Sequence, residues 1–162
     1  MARVYVGLGS NIDPEDNLRN GIRELRNCYG GLEISDVYRS AAVGFEGPDF
    51  LNLVVGFDTD ASPQEVVEHI EAIHNLAGRQ RFADKFSSRP LDIDLLLYND
   101  LIVTQHPLRL PRSDILEYSF VLRPLAELAP ELRHPVTGLS MAEHWQEFDQ
   151  ASHPLTPVDV AL

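Results

Sequence analysis

The sequence has little cysteine and few basic side chains, and both shortages narrow the range of functions. Its 162 residues contain a single cysteine, Cys28, so no internal disulfide can form and nothing indicates an oxidising compartment. Thirteen lysines and arginines stand against 25 aspartates and glutamates, which gives a formal net charge of −12 at pH 7. Such an acidic balance argues against general binding to nucleic acid or to an anionic membrane surface.

Long apolar runs are missing as well. No run approaches the roughly 20 residues that a membrane-spanning helix needs, and the N-terminal sequence MARVYVGLGSN becomes polar too early for a signal peptide. The hydrophobic content of 44% is ordinary for a globular chain. We therefore expect one cytoplasmic, monomeric domain over residues 1–162, with no nucleic-acid or membrane partner and with a proline-bearing tail at 149–162.

The spacing of apolar residues predicts an alternation of strands and helices. Strands are expected at 2–9, 32–38, 50–58, around Asp92 and near 102–103. Helices are expected at 14–28, 63–77, near 118–129 and from Ser140 onward. Asp13 is the expected N-cap of the first helix, and Ser62 with Glu65 forms a capping box for the second. This order predicts a ferredoxin-like α+β fold, with an antiparallel-dominated sheet, helices on one face and added C-terminal helices.

A pair of carboxylates in the segment RPLDIDLLLY is the most informative feature that is present. Alternation along a strand sends Asp92 and Asp94 to the same face of an otherwise apolar strand. Two like charges so close together repel each other. Mg²⁺ relieves the repulsion, because it takes one or two carboxylates together with substrate phosphates. The alternative is a solvated strand end that holds no ligand.

A cationic cluster directly precedes this pair. Four of the 13 basic residues fall within eleven positions: Arg79, Arg81, Lys85 and Arg89. Guanidinium groups match phosphate oxygens in a bidentate geometry. Cations that lead into a carboxylate pair are the arrangement expected for a metal-bound polyphosphate. The alternative is a solvated loop with some charge pairing to Asp84.

These motifs together resemble the family of 6-hydroxymethyl-7,8-dihydropterin pyrophosphokinases of the folate pathway. The matching segments span most of the chain: GLGSN at 7–11, YRS at 38–40, PDFLN at 48–52, GRQR at 78–81, RPLDID at 89–94 and FVLRPLAE at 120–127. The resemblance implies a ferredoxin-like fold and ATP as co-substrate with two Mg²⁺. It also implies transfer of diphosphate from ATP to the hydroxymethyl group of the pterin alcohol, with release of AMP.

The resemblance also implies a role for individual residues. Asp92 and Asp94 would hold the metal ions, and the catalytic polyphosphate contacts would come from Arg79, Arg81 and Arg89. The pterin-binding set would be Ser40, Ala41, Val43, Asn52, Phe86 and Phe120. Within that set Asn52 would read the ring edge, the backbone after Ser40 would add hydrogen bonds, and the two phenylalanines would stack on the ring.

Several positions differ from the family pattern. His74 stands where a glutamate is typical, Arg112 replaces a histidine after proline, and Tyr118 replaces an arginine two residues before Phe120. The run 85–89 reads KFSSR, in which Phe86 stands where a tryptophan is usual. These departures leave two alternatives to a divergent but competent enzyme. One is a pterin- or nucleotide-binding protein without ATP turnover, and the other is an enzyme with a changed acceptor.

Overall fold

The sheet at the centre of this computed structural model, which describes residues 1–78 and 90–162, is antiparallel in every described pairing. Its strands are β1 (Ala2–Ser10), β2 (Glu33–Ile34), β3 (Val37–Ser40), β4 (Phe50–Thr59), β5 (Asp92–Tyr98) and β6 (Thr156–Val158). They are ordered β5-β1-β4-β3-β6, and β2 pairs with β4. The ferredoxin-like α+β prediction is confirmed.

Helices cover both faces of this sheet. They are α1 (Pro14–Tyr29), α2 (Pro63–Leu76), α3 (Asp114–Glu117), α4 (Ser119–Leu128) and α5 (Met141–Glu147). α1 and α2 pack on one face through a core that includes Leu18 and Val66. On the other face α3, α4 and α5 pack against Tyr5, Val54 and Leu96. The expectation of helices on one face therefore holds for α1 and α2, but the other three helices lie on the opposite face. Both faces are covered because the central strands carry apolar side chains on each of them.

The caps of the helices were predicted with mixed success. Ser62 accepts from the Glu65 amide at 3.2 Å and Glu65 accepts from the Ser62 amide at 3.0 Å, which confirms the capping box of α2. Ser140 begins α5 in the same way. Asp13 does precede α1, but it has a left-handed backbone conformation with φ of 41° and its side chain makes no capping bond.

Two strand predictions and the prediction for the tail need correction. The segment 32–38 divides into β2 and β3, because the hydroxyl of Ser35 accepts from the Val54 amide at 2.8 Å and interrupts the ladder. The tail at 149–162 contains β6, which pairs with β3 at the sheet edge. Near 102–103 only one bridge forms, between Val103 and Leu110.

Within residues 1–78 and 90–162, no helix is long and apolar enough to cross a membrane.

Candidate active site

A gap on the α4 side of the sheet lies between two polar side chains. The register places Gly9 of β1 opposite Asn52 on one side and opposite Asp92 on the other. Residues directly opposite each other in an antiparallel pair share a face, so Asn52 and Asp92 border a position that has no side chain. A Cβ on Gly9 would lie 3.2 Å from Asn52 Oδ1 and 3.7 Å from Phe50 Cδ1. Gly9 therefore keeps open a recess between β4 and β5.

The two carboxylates begin β5 on that same face. Asp92 pairs with Gly9 and Asp94 pairs with Gly7, so each carboxylate stands on the strand next to a glycine of β1 and on the same face. Both aspartates are half-buried. The shared face predicted from the alternation is present in the structure, while metal binding by the pair stays a prediction.

Arg112 is a cation that the sequence motif did not place at the carboxylates. Its Nη2 lies 3.5 Å from Asp94 Oδ1 and its Nε lies 3.1 Å from Asp114 Oδ2. Its backbone amide donates to Leu96 O at 3.0 Å, which fixes it beside β5. Burial lowers the pKa of Arg112, but Asp94, Asp114 and Asp92 outweigh burial and raise it above its usual value. Arg112 is therefore a permanent positive charge that offsets part of the carboxylate repulsion.

The side chain of Asn52 is held in one orientation by the protein. Its Nδ2 donates to Ser40 Oγ at 2.8 Å and to Tyr38 O at 3.3 Å, and the residue is 5% exposed. Because a backbone carbonyl only accepts, the nitrogen of this amide must face Tyr38. The oxygen Oδ1 is then turned toward the recess above Gly9. Asn52 therefore presents a fixed acceptor to whatever occupies the recess.

The connection after β3 carries the other residues expected at the pterin edge. Ser40 ends β3 and bonds to Asn52, whereas Ala41 and Val43 follow in irregular backbone, with Val43 44% exposed. Further along this connection, Pro48 O accepts from Asn11 Nδ2 at 3.2 Å, which links it to the end of β1. The structure thus brings Ser40 to Asn52, and it leaves Ala41 and Val43 on the adjoining loop.

One aromatic ring lies beside the recess, and a second belongs to α4, the helix that packs on the same face of the sheet. Phe120, in the first turn of α4, is half-buried and stacks on Tyr118 with centroids 5.0 Å apart. Phe50 lies beside Gly9, and its ring meets Phe45 edge-on at 6.4 Å. The sequence interpretation assigned Phe120 but overlooked Phe50. The signal was available, because Phe50 and Asn52 are two apart on one strand and so share a face.

The cationic segment and one expected stacking residue lie outside the described residues: Arg79, Arg81, Lys85, Phe86 and Arg89. Both flanks of that segment are described. Gly78 follows α2 with φ of 79°, and α2 packs against β5. Pro90 comes two residues before Asp92, and its carbonyl accepts from Ser10 Oγ at 2.5 Å. Pro90, the first described residue after the segment, is therefore held at the end of β1, two residues before Asp92.

The carboxylate pair fits a hard divalent cation that is coordinated partly by the protein and partly by a bound substrate. Asp92 and Asp94 supply oxygen donors on one face of β5. Across residues 1–78 and 90–162, no group of three or more histidine, cysteine, aspartate or glutamate side chains could hold a metal. Mg²⁺ suits such a sparse donor set, because it completes its octahedron with water and phosphate oxygens.

An antiparallel ferredoxin-like fold with a carboxylate pair beside a recess suits an enzyme that transfers phosphate groups between small molecules. The family model described as 7,8-dihydro-6-hydroxymethylpterin-pyrophosphokinase matches residues 5–130. The chain belongs to this family. The expectation of a pyrophosphokinase in folate biosynthesis is therefore confirmed over the alternative of a binding protein without turnover.

Relatives and solved structures agree with this assignment. The chain is 38% identical over 159 residues to the 2-amino-4-hydroxy-6-hydroxymethyldihydropteridine pyrophosphokinase of Synechocystis, covering 95% of this chain and 80% of the relative. It is 37% identical over 139 residues to the same enzyme of Aquifex aeolicus, covering 84% and 86%. The solved Plasmodium falciparum HPPK-DHPS with pterin and p-hydroxybenzoate shares the fold, with a TM-score of 0.73 at 14% identity. That match covers 90% of this chain but only 43% of the solved chain.

Proposed function

We propose that this chain transfers diphosphate from ATP to the hydroxymethyl oxygen of 6-hydroxymethyl-7,8-dihydropterin, and that Asp92 and Asp94 hold two Mg²⁺ for the reaction. The observation that carries the proposal is the row formed by Asn52, Gly9 and Asp92 on one face of the sheet. Adjacent strands are about 4.8 Å apart, so Asn52 and Asp92 are separated by roughly 10 Å. A bicyclic ring bound at Asn52 would reach toward the aspartates with its hydroxymethyl group.

The acceptor half of the site is formed by β4, β3 and α4. Asn52 Oδ1 accepts a hydrogen bond from the ring edge, and its orientation is set by Ser40 and Tyr38. A flat heteroaromatic ring is bound best by aromatic faces with a few edge hydrogen bonds. Phe50 and Phe120 supply such faces. Ala41 and Val43 contribute backbone groups, and Phe86 is proposed as a further stacking residue.

The donor half is formed at the start of β5. Asp92 and Asp94 would hold Mg²⁺, which would supply charge neutralisation at the phosphate oxygens. Arg112 adds a fixed cation beside Asp94, and Arg79, Arg81 and Arg89 are proposed to hold the polyphosphate. Phosphoryl transfer depends mainly on positioning and on charge neutralisation, so a site with two carboxylates and several guanidinium groups suits it.

The chemical step is an in-line displacement at the β-phosphorus of ATP. The hydroxymethyl oxygen forms a bond to that phosphorus while the bond from the phosphorus to the oxygen bridging it to the α-phosphate breaks. AMP leaves with the bridging oxygen, and the hydroxymethyl proton is released to solvent. The recess over Gly9 positions the attacking oxygen on the aspartate side of the pterin ring.

The decisive experiment measures AMP release from ATP with Mg²⁺, with and without the pterin alcohol. Wild-type protein should release AMP only with pterin, and Asp92→Ala should lower kcat by about 100-fold or more because it removes charge stabilisation from the transition state. Asp100→Asn is the matched control, since Asp100 is exposed in the turn that follows β5. Near-normal turnover by Asp92→Ala would refute the metal assignment. A pterin-dependent rise in Tm without AMP release would refute the proposed activity.

We further propose that the whole chain, residues 1–162, acts as one monomeric domain in the cytoplasm on small molecules alone. The pairing of β6 with β3 supports including the tail in that domain. Light scattering during size exclusion measures the oligomeric state, and a dimer mass would contradict the monomer.

A further inference from the structure

His74 is a buried polar residue that none of the roles above uses. It lies in the last turn of α2 and is 2% exposed. Its Nε2 accepts a hydrogen bond from the Ile93 amide at 2.8 Å. Ile93 is the residue between Asp92 and Asp94, so this bond reaches the backbone that carries the carboxylate pair.

The bond takes the place of a strand contact at an edge of the sheet. Among the strands described, β5 pairs only with β1. In an antiparallel pair, alternate residues turn their amides toward the partner strand and away from it. The amide of Ile93 points away from β1 and toward α2, where His74 receives it. The imidazole of His74 therefore accepts from a buried backbone amide to which no other described strand offers an acceptor.

The hydrogen bond from the Ile93 amide determines which nitrogen of the His74 ring carries the proton. A backbone amide can only donate, so Nε2 must carry a lone pair, and the neutral ring has its hydrogen on Nδ1. The Nδ1 atom lies 3.3 Å from Glu71 Oε1, which is well placed to accept from it. His74 thus supplies a neutral acceptor close to two carboxylates. A glutamate at this position would instead add a third negative charge.

We propose that His74 is a positioning residue, which in its neutral Nδ1–H form holds the Ile93 amide and thereby fixes Asp92 and Asp94 relative to the end of α2. Both flanks of segment 79–89 are tied together by this bond, since α2 precedes the segment and β5 follows it. The inference deepens the proposed function and depends on it for its catalytic consequence. The contact with Ile93 stands independently.

The test compares side chains that can and cannot reach the amide. The oxygen of glutamine extends about as far as Nε2, whereas the oxygen of asparagine reaches only the position of Nδ1. Amide exchange at Ile93, followed by NMR in the metal-free protein, should be slow in wild type and in His74→Gln. It should be about tenfold faster in His74→Asn, because one hydrogen bond is lost. Val66→Ala is the matched control, because Val66 is a buried position of the same helix, about two turns before His74.

A second readout follows the metal site without turnover. Mn²⁺ binding in the presence of a non-hydrolysable ATP analogue, measured by electron paramagnetic resonance, should weaken about tenfold in His74→Asn. His74→Gln and Val66→Ala should stay close to wild type. The kcat for AMP release should follow the same order.

Two results would overturn the role of His74: unchanged Ile93 exchange in His74→Asn, or equal loss of Mn²⁺ affinity in His74→Gln and His74→Asn. Failure of the proposed function gives a different pattern. Wild-type protein would then release no AMP with pterin present, while the Ile93 exchange and Mn²⁺ measurements would still decide the positioning role.

Discussion

Gly9→Ala should separate binding of the pterin from the rest of the reaction. Gly9 occupies the floor of the recess, with Asn52 on one side and Asp92 on the other. An added methyl group would lie 3.2 Å from Asn52 Oδ1, which is closer than most such contacts. It would also stand where the proposed ring edge meets the amide. We expect the KM for pterin to rise while the KM for ATP changes little.

The magnitude follows from how firmly Asn52 is held. Its Nδ2 is bound to Ser40 Oγ and Tyr38 O, so the amide can move away from the methyl only by weakening one of these hydrogen bonds. A hydrogen bond of this kind contributes about 1–2 kcal/mol when its loss leaves a buried group poorly satisfied. That free energy corresponds to roughly five- to thirtyfold weaker pterin binding.

Gly7→Ala is the control on the same strand and the same face. A methyl group there would meet the side chain of Leu96 at 3.5 Å, an ordinary van der Waals contact. The assay is steady-state AMP release over a range of pterin concentrations at saturating ATP, with direct pterin binding measured by calorimetry. Equal pterin affinity for Gly9→Ala and Gly7→Ala would refute the assignment of the recess. A rise confined to the KM for ATP would refute it as well.

Two further predictions concern charge and stability. Arg112→Ala should raise the KM for ATP about tenfold, because one charge-assisted contact beside Asp94 is lost. Arg109→Ala, at an exposed position, should leave this KM unchanged. An equal KM for ATP in the two variants would contradict the role of Arg112. Burial and the hydrogen bond to Glu127 raise the pKa of Tyr38 above its ordinary value of about 10, so the folded state keeps a proton that the unfolded chain releases. The contribution of Tyr38 to the free energy of unfolding should therefore be fully present below about pH 10 and fall as pH rises past it. Tyr38→Phe should reduce this fall, as measured by urea unfolding between pH 8 and 11. An identical dependence of the unfolding free energy on pH in Tyr38→Phe and wild type would contradict the prediction.

Local sequence patterns were sufficient for most elements and insufficient for long-range pairing. The capping boxes at Ser62 and Ser140 predicted helix starts correctly, because each signal lies within four residues. The three-residue strand β6 gave no comparable signal, since it is short, contains Pro157 and acquires its structure only by pairing with β3. Asp13 precedes α1 as predicted, but its side chain does not form the expected capping hydrogen bond, because the backbone at Asp13 is left-handed.

The candidate site shows the same division. Alternation alone placed Asp92 and Asp94 on one face, and it could have placed Phe50 with Asn52. Alternation cannot say which residue of a neighbouring strand stands opposite, because register depends on the pairing of strands distant in sequence. Arg112 was harder still. It reaches Asp94 only because its amide bonds to Leu96 O after an irregular connection closed by the Val103–Leu110 bridge.

Gly9 of β1 explains how the two halves of the proposed site can work together. A central strand normally fills its faces with side chains, and Gly9 weakens β1 by placing none between Asn52 and Asp92. At Gly7, by contrast, the side chain of Leu96 lies against the strand. In the proposed reaction this loss is offset, because Asn52 and Asp92 lie on either side of Gly9 with no side chain of β1 between them. A substrate held at Asn52 would approach Asp92 across Gly9. Gly9 therefore matters to the proposed reaction through the room that it leaves, and this is the property that an added methyl group removes.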